Sequence, residues 1–127
     1  MITSLNHDNF SETIDESKMS VIKLWHIHCP MCANLKPIYQ RLARFFKDDF
    51  DFYECDTVAD EQRLASSLRE DPSAGGVPEI FLYHQGKFKE IPWPKSPVES
   101  GYSEPFLFNF LDFYRWYRSL HEERSEL

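Results

Sequence analysis

Between residues 21 and 46 the chain changes its hydrophobic period, and it does so across Cys29-Pro30-Met31-Cys32. Before the change, "VIKLWHI" (21–27) is rich in β-branched and aromatic residues, the composition of a buried strand. After it, Leu35, Ile38, Tyr39, Leu42 and Phe46 recur at helical spacing. A strand that passes into a helix through two cysteines puts the pair at the end of a sheet and at a helix N-terminus. Pro30 suits the first helical position, where its missing N–H costs no hydrogen bond. Cys29 is therefore expected as the N-cap, with Cys32 one turn further on.

The rest of the chain alternates in the same way. Residues 2–6 suggest a short strand, and Asp8 is expected to cap a short helix carrying Phe10 and Ile14. "FDFYECD" (50–56) reads as a strand. Thr57 and Asp60 resemble a capping box opening a helix with Leu64, Ala65 and Leu68, which stops before Pro72. "PEIFLYH" and "KFKEI" flank Gln85-Gly86 as a hairpin. A proline-rich loop follows, and Ser103 to about Glu122 reads as a long helix. The order β-α-β-α-β-α-β-β-α predicts an α/β fold, a central mixed β-sheet flanked by helices on both faces. With 127 residues and 42% hydrophobic content, residues 1–127 are expected to form a single domain.

Composition removes several function classes. A net charge of −7 argues against binding along a phosphate backbone, so no nucleic-acid partner is expected. No apolar run approaches the ~20 residues that span a bilayer. The first residues, "MITSLNHDNFSETIDES", lack the segments of a secretory signal, so a cytoplasmic location is expected. The three cysteines, Cys29, Cys32 and Cys55, are too few for a disulfide framework. In a reducing compartment a close pair is catalytic or metal-binding more often than structural.

Two chemistries compete for the pair. A thiolate at a helix N-terminus feels the positive end of the helix dipole, which lowers its pKa and makes it nucleophilic. On this reading Cys29 attacks, and Cys32, deeper and one turn later, resolves. A structural zinc site needs four ligands. His26 and His28, expected on one face of the strand, are the nearest candidates to add to the cysteines. His7, His84 and His121 are scattered, and there is no second Cys-x-x-Cys. The redox couple is the expected chemistry, with no metal and no other cofactor.

With these residues in view the chain resembles the thioredoxin superfamily. Trp25 stands four residues before Cys29, Pro37 five after Cys32, and "GGVPEI" is similar to the loop that carries the family's cis-proline. The resemblance implies a thioredoxin-like fold and a thiol–disulfide oxidoreductase. Cys29 and Cys32 would be catalytic. Pro78 would face them from a cis bond, and the backbone of Val77 would pair with an extended substrate. The implied partners are protein disulfide substrates and a recycling reductase or oxidant. The chain also departs from the family pattern. His28 replaces the tryptophan usual before the first cysteine. Lys23 occupies a position, six before that cysteine, where many members bury an acid. Lys23, Trp25 and His28 are thus expected to tune the pair, with Glu54 or Asp56 as the partner of a buried Lys23.

Two further features fall outside the couple. Cys55 lies in a strand, where a free cysteine packs as a small hydrophobe. The segment "EPFLFNFLDFYRWYRSL" carries more aromatic residues than one core-facing stripe needs. It is expected either to lie under the proline-rich loop or to form a homodimer or partner interface. The alternative to an enzyme is therefore a binding module that docks a partner through this helix, with little turnover at the cysteines.

Overall fold

Strand β2 (Met19–Trp25) is buried along almost its whole length, because both its faces are covered. In the computed structural model, which describes residues 2–73 and 75–90, it is the middle strand of the sheet. Around it stand β1 (Ile2–Ser4), α1 (Phe10–Thr13), α2 (Pro30–Phe45), β3 (Phe50–Asp56), α3 (Arg63–Leu68), β4 (Glu79–His84) and β5 (Lys87–Glu90). The five strands run in the order β1-β3-β2-β4-β5. The first three are parallel, β4 pairs antiparallel with β2, and β5 closes a hairpin. This is the mixed sheet expected of the thioredoxin-like fold.

Alternation along the strands sorts the core into two layers. Ile22, Leu24, Tyr53, Cys55, Phe81 and Tyr83 face α1 and α3, where Leu64, Ala65 and Leu68 meet them. On the other face α2 buries Leu35, Ile38, Tyr39, Leu42 and Ala43, followed by Phe46. Each such aliphatic side chain contributes about 2 kcal/mol when fully buried. Tyr39 packs edge-on to Phe52 at 5.6 Å, and its hydroxyl reaches the Tyr53 carbonyl at 2.7 Å. The long helix is thereby fixed over β3, and its N-terminus over the end of β2. Pro37 lies inside α2, as the sequence suggests.

Four local expectations need correction. The first strand ends at Ser4, and Asn9 rather than Asp8 occupies the N-cap of α1. Asn6 and Asn9 exchange side-chain-to-backbone hydrogen bonds at 2.8 Å, while Asp8 pairs with Arg63 through two 3.0 Å contacts. Thr57 does not open α3. Its N–H and its hydroxyl both donate to the Trp25 carbonyl, at 2.9 and 3.2 Å, tying the end of β3 to the end of β2. The helix starts only at Arg63, after Glu61 and Gln62 turn the chain through positive φ. Asp60 still serves it, accepting the Leu64 N–H at 2.8 Å. Finally, β2 stops at Trp25, so His26 and His28 lie in a turn and not on a strand face.

The chain divides into two units, Met1–Pro92 and Trp93–Leu127. The second, with the expected aromatic helix and most of the proline-rich loop, lies outside the described residues. No helix among the described residues is long and apolar enough to cross a membrane.

Candidate functional site

The turn after β2 delivers Cys29 to the N-cap of α2 with extended backbone, and Pro30 begins the helix. The Cys29 sulfur accepts the Cys32 N–H at 3.1 Å, filling the cap role that an oxygen usually takes. One helical turn separates the two residues. Their Cα atoms are 5.2 Å apart and their sulfurs are joined as a disulfide. Cys29 keeps 8% of its surface and Cys32 4%, so the first cysteine is slightly the more accessible. Cys29 Sγ also stands 3.8 Å from the Val77 carbonyl oxygen. The Val77–Pro78 peptide bond is cis, Pro78 is buried and Val77 half-buried.

Beneath the pair is a cavity of about 210 Å³, lined among others by Lys23, Trp25, His26, Cys29, Cys32 and Glu54. Lys23 faces it from β2 because it alternates with the core residues Ile22 and Leu24. Its partner follows from register, since Lys23 lies directly across from Glu54 on the parallel neighbour β3. Lys23 Nζ sits 3.3 Å from a Glu54 carboxylate oxygen and 4.7 Å above the centre of the Tyr39 ring. Only 4% of the lysine side chain is exposed. Burial pulls the Lys23 ammonium below its ordinary pKa, and Glu54 opposes that pull. Trp25 is half-buried at the strand's end, its Nε1 without a hydrogen-bond partner among the described residues. His28 is exposed in the turn, and its N–H donates to His26 Nδ1.

The structure therefore brings Cys29, Cys32, Lys23 and Trp25 around one cavity, with Val77 against Cys29. His28 is next to the site in sequence but is not part of the cavity wall. Two features were missed. One is the part taken by His26. The other is Asp60, a buried carboxylate that accepts from the N–H of both His7 and Leu64. The spacing of Asp60 before an apolar helix was visible, but its tie to residue 7 was not. Among the described residues no group of three His, Cys, Asp or Glu side chains could hold a metal ion.

Cys55 is fully buried, its thiol 3.8 Å from Asp60. Burial, and then the Asp60 charge, push its pKa up to about 12. A raised thiol pKa contributes stability below the unfolded value, lost as pH climbs toward the folded one. The reduced native protein is accordingly expected to react with iodoacetamide at Cys29 and leave Cys55 untouched at pH 8. Mass mapping of early Cys55 adducts would refute this.

Comparison with known proteins bears on the same region. The family model described as Thioredoxin matches residues 1–95. The first thioredoxin domain of mouse protein disulfide-isomerase A4 superposes with a TM-score of 0.62 at 20% identity, over 76% of this chain and 67% of that one. Thioredoxin f from spinach chloroplast gives 0.61 at 22%, over 71% and 73%. A crystal structure of ERdj5 gives 0.61 at 17%, over 72% of this chain but 13% of its own.

Proposed function

Because the chain belongs to the thioredoxin family, we propose that it is a thiol–disulfide oxidoreductase that acts on protein disulfides through Cys29 and Cys32. The observation that carries this reading is the cysteine pair at disulfide distance on the N-terminus of α2, with a backbone carbonyl beside Cys29. In the reducing direction the Cys29 thiolate attacks one sulfur of a substrate disulfide. The substrate's S–S bond breaks, a Cys29–substrate disulfide forms, and the departing thiolate takes a proton. Cys32 then loses its proton and attacks Cys29 Sγ. The second substrate thiol leaves, and two electrons have passed from the dithiol to the substrate. The oxidising direction runs the same steps backwards. On this reading the backbone of Val77, whose carbonyl oxygen stands 3.8 Å from Cys29 Sγ, pairs with an extended substrate segment, as in strand addition.

A recycling reductase or oxidant completes the cycle, and a reducing compartment such as the cytoplasm suits a dithiol kept ready to attack. Lys23 and His28 tune the couple. A cation under the pair favours the Cys29 thiolate, hence the reduced form, hence a more oxidising disulfide. The double variant Lys23→Asp with His28→Trp is expected to lower the reduction potential by on the order of 30 mV, equivalent to ~1.4 kcal/mol for two electrons. Equilibration with glutathione buffers measures it, and an unchanged potential would leave both residues as packing choices.

The function itself is tested by the reduction of insulin by dithiothreitol. The protein is expected to accelerate the reaction in proportion to its concentration. A rate equal to the uncatalysed one would overturn the enzyme reading and leave that of a binding module.

A further inference from the structure

Both the side chain and the backbone of His26 act within one turn. Its carbonyl accepts the Cys29 N–H at 3.3 Å, closing the four residues 26–29. Its Nδ1 accepts the His28 N–H at 3.2 Å. Nδ1 is bonded to Cγ, as Oδ1 is in asparagine, so His26 closes the turn as an Asx residue does. Ile27 at the tip is 77% exposed, and apolar packing of its side chain contributes little to holding the turn. A nitrogen that accepts a hydrogen bond carries no proton. The contact therefore requires a neutral imidazole with its proton on Nε2.

We propose that His26 is a positioning residue for the dithiol: its neutral ring holds the turn that delivers Cys29 to the helix N-terminus, and protonation of the ring releases that turn. The functional part of this inference rests on the oxidoreductase reading. Once released, Cys29 loses the placement that stabilises its thiolate. Histidine is the residue type whose ordinary charge change falls between about pH 5 and 8, the range over which the proposal is tested. Among the described residues, the charged and titratable groups around it are Lys23, Lys36 and Glu54, which line the same cavity, the two cysteines, and the His28 ring at 6.4 Å. Charge alone predicts the opposite trend. A cationic His26 near Cys29 favours the thiolate and would speed reaction as pH falls.

The test uses His26→Asn, which offers an acceptor at the same place at every pH, and His26→Ala, which offers none. Insulin reduction and the alkylation rate of Cys29 in the reduced protein are measured from about pH 5.5 to 8. Dividing wild type by His26→Asn at each pH removes, to first order, the ionisation of Cys29 and of the reagent. Wild type and His26→Asn are expected to agree at the alkaline end. His26→Ala is expected to be about fivefold slower there, the fold-change of one hydrogen bond of ordinary net strength. On acidification wild type should fall away from His26→Asn toward His26→Ala. A ratio that is flat or that rises on acidification overturns the proposal, as does a slow His26→Asn or a fast His26→Ala at the alkaline end. If no form reduces insulin, the oxidoreductase reading fails, while the alkylation rates still decide the role of His26.

Discussion

Cys29→Ser is expected to bring insulin reduction down to the uncatalysed rate. A serine hydroxyl neither ionises near neutral pH nor forms a bond to sulfur that a second thiol can open. The loss is also expected to be clean. Serine is among the preferred N-cap residues, and its oxygen can accept the Cys32 N–H that the Cys29 sulfur accepts now. The variant should therefore match the reduced wild type in unfolding free energy to within about 1 kcal/mol, the scale of a helix cap. Circular dichroism and urea unfolding separate the two outcomes. A folded variant that keeps wild-type turnover would show that Cys29 is not the nucleophile.

Arg69→Ala is expected to lower the unfolding free energy by about 3–5 kcal/mol, the cost of stranding a buried charge. Glu79 follows Pro78 at the start of β4 and keeps only 1% of its side-chain surface. Arg69, at the end of α3, donates to its carboxylate through Nε at 2.9 Å and again through Nη2. Gly75 leaves room for this arrangement. Its φ is +91°, and a Cβ there would come within 2.8 Å of the second Glu79 oxygen. Native domains have only about 5–15 kcal/mol in hand, so the loss is a large fraction of the total and should move the urea midpoint clearly downward at 25 °C. Adding Glu79→Gln, which removes the stranded charge, should recover part of the loss. A single variant within about 1 kcal/mol of wild type would mean that the pair contributes no more than a surface ion pair.

The sequence was most readable where one local force decides the structure. The change of period at Cys29-Pro30 located the β2–α2 junction and the N-cap, because proline and the helix end impose the same requirement. For Lys23 the alternating faces of two parallel strands leave Glu54 or Asp56 as partner, and the strand register, which sets Lys23 opposite Glu54, decides between them. Local signals failed where a distant group took over the side chain. Asp8 reads as a cap but belongs to Arg63. Thr57 reads as a cap but is held by the Trp25 carbonyl. The end of β2 was placed two residues late because "HI" continues the apolar pattern, while the Cys29 N–H draws the chain into a turn. The Arg69–Glu79 pair was not visible, since α3, Gly75 and the start of β4 must all be in place before it exists.

If Cys29 attacks and Cys32 resolves, the Cys32→Ser variant stops the reaction between the two steps. Without Cys32 the first step can proceed but the second cannot, so the mixed disulfide should accumulate. Reduced Cys32→Ser incubated with insulin, quenched with acid and mapped by mass spectrometry is expected to carry an insulin chain on Cys29, released by dithiothreitol, with Cys55 unmodified. Absence of the adduct, or an adduct on Cys55, would overturn these roles for Cys29 and Cys32.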